Sequence, residues 1–321
     1  MMREEIRRRM VQRLGLWTSG QELAASLGIS RAAVWKAVRS LRAEGYDIEA
    51  SRRGYRLSTI PDLLREDIIK GGLDTKFVGR TVISHPSLPS TNAEAKRIGP
   101  SAEEGTVVVA EVQTAGRGRM ERYWHSPRGG LWMSVILKPK IPPSQAFRVN
   151  MAASVAVARA LGGLYDLDVK IKWPNDIMVG DKKISGILTE IGADMDCLDY
   201  AAVGIGINVN IDQRSLPEEG RATSISGELG REVLLVELAS RVLTELERCS
   251  EDLTSSFDPI HLEWSQRSAT LGRSVRMTTR NGEFEGKAVD LDADGALLVE
   301  RDGGQIERVV AGDCVHLRPS K

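Results

Sequence analysis

The sequence predicts a multidomain α+β protein: an N-terminal winged helix-turn-helix, a central α/β domain on a mixed, largely antiparallel sheet, and a C-terminal SH3-like small β-barrel. Three observations predict it. Near the start, two short helical stretches flank a glycine turn. Through the middle, β-branched runs alternate with helical ones without strict βαβ periodicity. From about Leu271, short alternating strands are split by Asn281-Gly282, Asp294-Gly295 and Gly303-Gly304, turns that suit positive φ and hairpin closure. The 321 residues are therefore expected to divide at 1–63, 64–270 and 271–321.

In the first domain an amphipathic stretch around Ile6–Leu16 leads to Thr18-Ser19-Gly20, a helix-start signal. A short helix over Gln21–Leu27, the turn Gly28-Ile29-Ser30 and a second helix from Arg31 to about Arg42 follow. Gly28 tolerates positive φ, and Ser30 offers a cap to the free amides of the next helix. Val34, Val38 and Leu41 recur at i, i+4 and i+7 as one buried stripe, which leaves Arg31, Lys36 and Arg39 on the outer face. Tyr46–Ala50 and Tyr55–Leu57 read as strands of a wing tipped by Arg52 and Arg53. A basic helix face suits a major groove, and wing arginines suit phosphates or a minor groove. DNA is the expected partner, protein contacts by a small basic domain being the alternative. Trp35 on the second helix is open between a packing anchor and a DNA contact. Charge agrees with DNA: residues 1–60 carry twelve Lys/Arg against six Asp/Glu, although the whole chain has 44 of each.

A connector with Pro61 runs over Ser58–Leu63. Beyond it, strands are expected at Thr81–Ser84, Thr106–Gln113, Trp132–Leu137, Val169–Trp173, Ile184–Ile191 and Tyr200–Val209. The longest helices are expected at Gln145–Leu161, behind a Ser144 cap, and at Val233–Arg248. Trp132 and Met133 read as core, and His85 as an ordinary histidine. The last domain should hold strands at Val275–Thr279, Phe284–Leu291, Ala296–Arg301, Gln305–Val310 and Cys314–Leu317.

Cys197, Cys249 and Cys314 are odd in number and far apart, so they read as free thiols of a reducing compartment. The four histidines show no zinc-type spacing. No apolar run approaches membrane-spanning length and the start is charged, so a cytoplasmic protein without a membrane partner is expected.

Four segments carry candidate chemistry. Val107–Val109 feed into the loop Gln113 to Trp124, rich in glycine and arginine, where bare backbone approaches an anion and guanidinium groups neutralise phosphate. A loosely nucleic-acid-binding loop is the alternative there. Lys172-Trp173-Pro174-Asn175-Asp176 and Lys182-Lys183-Ile184-Ser185-Gly186-Ile187-Leu188 place a carboxylate and several lysines at a hairpin mouth, which either serves phosphoryl chemistry or is a solvated turn. Gly204-Ile205-Gly206-Ile207-Asn208-Val209-Asn210 puts alternate glycines on one strand face, room for a flat ligand or the mark of a bulge.

Taken in order, GRGRMERYW, KWPND, KKISGIL and GIGINVN resemble the motif set of the biotin–protein ligases. The helix-turn-helix with SRAAVWKAV, and the wing ending in Gly54-Tyr55, resemble the subclass that doubles as biotin operon repressors. The resemblance covers nearly the whole chain. It implies an ATP-dependent enzyme that makes biotinyl-5′-AMP with Mg²⁺ and passes biotin to a lysine of a biotin carboxyl carrier domain. It also implies a homodimer that binds operator DNA.

Residue by residue, the resemblance implies that Ser90, Thr91, Asn92, Gln113 and the backbone at Arg117 meet biotin, with Gly204 and Gly206 lining its pocket. Gly116, Gly118, Arg119 and Arg122 would wrap the adenylate phosphate, and Trp124 and Asn208 would lie near the adenine. Lys183 would contact carboxylate and α-phosphate as they join, and Asp176 would stand near magnesium or the incoming lysine. Glu121 departs from the pattern, which has a glycine there; glutamate resists positive φ and adds negative charge beside a phosphate, so a looser hold on the adenylate is expected. A lipoate–protein ligase, a ligand sensor whose chemistry has lapsed, and a ligase whose head no longer binds DNA are the competing readings.

Overall fold

The computed structural model describes residues 2–43, 45–59, 62–216, 222–280 and 282–317, in two compact units, 1–63 and 64–321. Pro61 of the expected connector and Asn281 of the expected turn lie outside the described residues.

The first unit runs α1 (Met2–Gln12), β1 (Trp17–Thr18), α2 (Gly20–Leu27), α3 (Arg31–Ala43), β2 (Asp47–Ser51) and β3 (Gly54–Thr59), its strands forming a sheet in the order β1-β3-β2. Local chemistry sets these boundaries. Ser19 Oγ accepts from the amides of Gln21 and Glu22 to start α2, and Gly28 at φ 64° ends it. Ser30 Oγ accepts from Ala33 N at 3.1 Å at the head of α3. Val34, Ala37, Val38 and Leu41 are buried, which leaves Arg31, Lys36 and Arg39 exposed; Arg52 and Arg53 are exposed between β2 and β3. Trp35 is 55% exposed with the Arg39 guanidinium 5.6 Å from its ring centre, so it is no packing anchor.

The second unit opens with α4 (Glu66–Gly71), β4 (Val82–His85), α5 (Thr91–Ile98), β5 (Val107–Ala110) and β6 (Leu131–Leu137). It continues through α6 (Ala146–Tyr165), β7 (Val169–Lys172), β8 (Asp176–Val179), β9 (Lys182–Ala193), β10 (Leu198–Ile207), α7 (Ile225–Leu229), α8 (Leu235–Ser255) and α9 (Asp258–Gln266). Seven strands pair in the order β4-β5-β6-β10-β9-β8-β7, antiparallel except for β4 with β5. The chain ends with β11 (Ser274–Thr279), β12 (Gly282–Leu291), β13 (Leu297–Glu300), β14 (Ile306–Val309) and β15 (Asp313–His316), paired all-antiparallel in the order β14-β13-β12-β11-β15. Among the described residues β14 and β15 are free edges, so the ladder is an open sheet where the sequence suggests a closed barrel. It is pinned to α6 at the Gly295 turn. Trp173 Nε1 donates to Gly295 O at 3.3 Å, and a Cβ on Gly295 would lie 2.3 Å from Met151 Sδ.

Three local expectations change. Helix α6 starts at Ala146 after a 3-10 turn over Pro143–Gln145, so Ser144 lies inside that turn and caps nothing; Gln145 is the cap residue and makes no side-chain bond. The expected Thr106–Gln113 strand ends at Ala110 as β5. Helix α5 and strand β8 were absent from the expectation: α5 is short and polar, and β8 is four residues long, so neither carries much periodicity.

Strand alternation divides the central sheet into two faces. Met133 and Val135 of β6, Ile187 of β9 and Val203, Ile205 and Ile207 of β10 join the apolar cluster under α6 and α8, and are buried. Val108, Ile136 and Ala202 point the other way, against Ala95 of α5. Trp132 is also fully buried, in a smaller cluster with Ile211 and Leu216. The site lies on the α5 face.

A single carboxylate ties the approach to β4 onto α8. Glu247 accepts from the amides of Lys76 (2.7 Å), Phe77 (2.8 Å) and Val78 (2.9 Å). Burial pushes the Glu247 carboxyl upward, but the three backbone donors outweigh it and hold the carboxyl below its ordinary value. A depressed folded-state value makes this contribution fully present above the ordinary carboxylate range and lost as pH falls through the folded value. Glu247→Ala is expected to lower stability by about 1–3 kcal/mol at neutral pH, with the deficit shrinking in acid. Urea unfolding of the 64–321 unit across pH checks it, and a pH-independent deficit would contradict it.

Candidate active site

The GIGINVN segment folds as it does because its isoleucines and glycines alternate. Ile205 and Ile207 fill the core, which leaves Gly204 and Gly206 bare on the α5 face. Gly206 pairs with Gly186 and Gly204 with Leu188, so β9 and β10 together form a flat floor. A Cβ on Gly204 would lie 2.9 Å from Asn92 Oδ1, and one on Gly206 would lie 2.6 Å from Trp124 Nε1. Glycine is required here by close approach rather than by backbone angle. Above this floor is a cavity of about 380 Å³.

At one end of the cavity stand Ser90, Thr91, Asn92 and Gln113. Ser90 is the N-cap of α5, its Oγ accepting from Ala93 N at 3.3 Å, so its hydroxyl proton remains available to donate. Thr91 Oγ1 donates to Gln113 Oε1 (3.2 Å) and accepts from Ser134 (2.9 Å). Gln113 also accepts from Thr91 N (2.8 Å) and donates to Ser126 Oγ (2.8 Å). Thr91 and Gln113 thus brace each other, while Ser90 and Asn92 keep free valences. Asn92 Oδ1 and Trp124 Nε1 are buried without a hydrogen-bond partner.

The other end is cationic. Lys183 Nζ lies 2.5 Å from Asp176 Oδ1 and 5.0 Å from the centre of the Trp124 ring. A bulge places it there. Ile177 pairs with Ser185 but Met178 with Lys183, and the skipped residue Ile184 drops into the core while Lys183 turns to the cavity. Asn208 is buried, with Nδ2 donating to Thr223 O at 3.0 Å, so it lines the cavity while anchoring the segment before α7.

The arginine loop closes on itself as a narrow hairpin. Trp124 N donates to Gly116 O (2.9 Å) and Gly118 N to Arg122 O (2.7 Å), around a left-handed tip with Met120 at φ 54° and Glu121 at φ 57°. Gly116 does not line the cavity: a Cβ there would lie 2.4 Å from Trp124 O, so glycine serves the hairpin's own closure. Arg117, Gly118, Arg119 and Arg122 do line it. Arg119 donates to Asn175 Oδ1 (3.3 Å) and to Gly312 O (2.9 Å), and Arg122 pairs with Asp313. Burial lowers the Arg119 guanidinium from its ordinary value, with Asp313 and Asp176 acting against that shift.

Every cavity residue expected from the sequence is therefore brought to one place except Gly116, and the basic set Arg31, Lys36, Arg39, Arg52 and Arg53 lies in the other unit. Several contributors were missed. Gly186 and Asn175 sit inside quoted motifs and were legible there. Ser134 and Asp313 carry no local signal, because only strand pairing and the packing of the last sheet bring them in. Cys314 also lines the cavity, with burial pushing its thiol up to about 12, so it stands there as a neutral thiol.

Fold and site together define a binding site for a flat ring joined to an anionic group: a flat polar pocket continuous with a cluster of cations. The model of the biotin/lipoate A/B protein ligase family matches residues 84–208, that of the biotin protein ligase C-terminal domain residues 270–317, and a helix-turn-helix domain model residues 7–56. Over 301 residues the chain is 42% identical to the bifunctional ligase/repressor BirA of Bacillus subtilis (strain 168), covering 92% of each chain. It is 32% identical to the bifunctional ligase/repressor BirA of Escherichia coli (strain K12), covering 90% of each. The biotin protein ligase of Aquifex aeolicus, solved in complex with biotin and ATP, superposes with a TM-score of 0.64 at 30% identity, over 74% of this chain and 99% of that one. The chain belongs to the biotin–protein ligase family, in its bifunctional ligase/repressor branch.

The clasp between Arg122 and Asp313 is half-exposed, so it is worth up to about 1 kcal/mol. Asp313→Ala is expected to speed tryptic cleavage after Arg119 and Arg122 by about two- to fivefold, the loop opening more often. Cleavage mapped by mass spectrometry checks this, and an unchanged rate would mean that Asp313 does not restrain the loop.

Proposed function

We propose that this protein is an ATP-dependent biotin–protein ligase that forms biotinyl-5′-AMP, transfers biotin to a lysine of a biotin carboxyl carrier domain, and acts as a biotin-responsive DNA-binding repressor. One observation carries the reading. A free hydroxyl donor on Ser90 and an unused acceptor on Asn92 stand over a glycine floor, the complement of a cyclic urea with its carbonyl and N–H groups, and cations line the far end of the same cavity.

Biotin's carboxylate is unreactive toward amines and must be activated. Lying along the floor with its ring at Ser90 and Asn92, biotin presents its carboxylate beside Lys183. The carboxylate oxygen attacks the α-phosphate of ATP, pyrophosphate leaves, and a mixed anhydride forms. Negative charge grows on the phosphoryl oxygens, where Lys183, Arg119 and Arg122 are placed to balance it. Asp176 holds Lys183 in position. In the second step the neutral ε-amine of an acceptor lysine attacks the acyl carbonyl, loses its proton and expels AMP. The arginine hairpin lies over the phosphate end and would shield the anhydride from water.

Among the described residues no group of three or more acidic, histidine or cysteine side chains is set to hold a metal. Asp176 and Asp313, the carboxylates at the cavity, are paired with Lys183 and Arg122. Such donors fit a Mg²⁺ that arrives with the phosphates of ATP and adds one carboxylate, with Asp176 the nearest, better than a resident ion. The bound ion would supply charge compensation to the phosphates.

The basic faces of α3 and the β2–β3 turn suit DNA, and pairing of two chains would offer two such heads to two half-sites. Adenylate shifts that equilibrium only if it binds the dimer better than the monomer. Function then divides over three stretches, 1–63 for DNA, 64–270 for catalysis and 271–321 as a small open sheet that clasps the arginine loop. Among the described residues no helix is long and apolar enough to cross a membrane, and a cytoplasmic setting suits the free thiols.

Biotin-dependent ATP–pyrophosphate exchange, with lipoate as the parallel substrate, tests the ligase half. Exchange with biotin alone is expected; no exchange with either would leave a regulator that only senses its ligand. In the same preparation, a gel shift strengthened by biotin plus ATP is expected, and none would leave a ligase without an operator.

Glu121 holds a left-handed backbone at a cost of about 1 kcal/mol and brings a negative charge toward a phosphate. Glu121→Gly is expected to slow adenylate release by about fivefold, the factor equivalent to about 1 kcal/mol. Stopped-flow release of the preformed adenylate reads this, and equal rates for parent and variant would dispose of it.

A further inference from the structure

Asn92 is the second residue of α5 and is 4% exposed. Its Nδ2 donates to Glu190 Oε2 at 2.8 Å, while its Oδ1 is buried without a partner. That oxygen stands over Gly204 in the cavity. Glu190 comes from β9, opposite Ala202 of β10, on the same sheet face as Leu188 and Gly186. Its second oxygen accepts from Lys96 Nζ at 2.8 Å, which balances its charge.

A carboxylate only accepts hydrogen bonds. Were the Asn92 amide turned over, oxygen would face oxygen at Glu190 and two N–H groups would face the cavity. Glu190 therefore decides which end of the amide the ligand meets. We propose that Glu190 is a positioning residue which, through Asn92, makes the cavity demand an N–H donor from its ligand. It thereby selects a ring bearing N–H, such as the cyclic urea of biotin, over a donor-free ring such as the dithiolane of lipoate. The proposal rests on the biotin reading above. A donor-free ring would leave Asn92 Oδ1 desolvated and unpaired, the kind of mismatch that binding sites reject most strongly.

Glu190→Gln makes the test sharp. The glutamine oxygen stays with the Lys96 ammonium, so its NH₂ faces Asn92 and the Asn92 amide turns its own oxygen toward it. The variant then offers the cavity an N–H group in place of an acceptor. The probes are biotin and its two cyclic-carbamate analogues, each with one ring N–H replaced by oxygen, titrated calorimetrically against the full chain. On the parent, the analogue lacking the N–H that meets Asn92 is expected to bind at least about tenfold more weakly than biotin. On Glu190→Gln, biotin is expected to weaken by about tenfold or more, and the carbamate penalty is expected to disappear. At saturating biotin the KM for ATP in the exchange reaction should stay at the parent value, since the cation end is untouched, and the far-UV circular dichroism should match the parent's, as it would not if the variant merely misfolded. Lys96→Met leaves Glu190 on Asn92 and is expected to keep biotin affinity within about threefold.

Unchanged biotin affinity in Glu190→Gln, the same carbamate penalty on both proteins, or a loss in Lys96→Met as large as that in Glu190→Gln would each overturn the assignment. Failure of the parent to bind biotin at all would overturn the biotin reading itself, and the inference with it.

Discussion

Strand β10 serves two masters, and the arrangement of the site depends on how it does so. Its odd residues, Val203, Ile205 and Ile207, bury against α6 and α8, while its even residues, Gly204 and Gly206, present bare backbone on the α5 face. Because the side-chain period of a strand is two, a shift of one residue would exchange the two sets, putting isoleucines into the cavity and glycines into the core. Register here is held by pairing on both sides, to β6 and to β9. Core stability and ligand space are therefore the same constraint, read from opposite faces.

The placing of the cavity's lysine depends on a local breach of that regularity. Unbroken alternation along β9 would carry Lys183 away from the cavity. The bulge opposite Ile177 and Met178 reverses its direction, burying Ile184 and delivering the ammonium beside Asp176 and over Trp124. The arginines arrive differently, on a loop whose hairpin bonds fix its stem and whose tip is clasped by Gly312 and Asp313 from the last sheet. Lysine is held by a strand and the arginines by a loop tied down at its stem and tip. That division fits a reaction in which the acyl group needs a fixed position and the phosphate end must open to admit ATP and release products.

Polar residues around the ring pocket are arranged by saturation. Thr91, Gln113, Ser134 and Ser126 consume one another's hydrogen bonds, and Glu190 consumes the donor side of Asn92. Left for a ligand are the hydroxyl proton of Ser90 and the amide oxygen of Asn92, with the unpartnered Trp124 Nε1 farther along the floor. A buried network of this kind is rigid because each alternative pairing leaves a desolvated polar atom.

Much of this was legible in the chain itself. Amphipathic spacing located α3 and its exposed basic residues, because a helix face is a local property of i, i+4 and i+7 positions. Motif order brought Asn92, Arg119, Lys183 and Gly204 onto one list, and a missing glycine marked the position where Glu121 adopts φ 57°. Local spacing says nothing about partners chosen by strand pairing or by the packing of a distant sheet. Ser134 reaches Thr91, Glu190 reaches Asn92 and Asp313 reaches Arg122 over separations of 43, 98 and 191 residues. The open form of the last sheet, the bulge that turns Lys183 inward and the exposure of Trp35 were likewise decided in three dimensions. The sequence by itself determined which residue types were available and which short elements they form, since propensity and periodicity act over a few residues. Which donor faces which acceptor was decided only by the tertiary structure, since that pairing is a property of the assembled sheet.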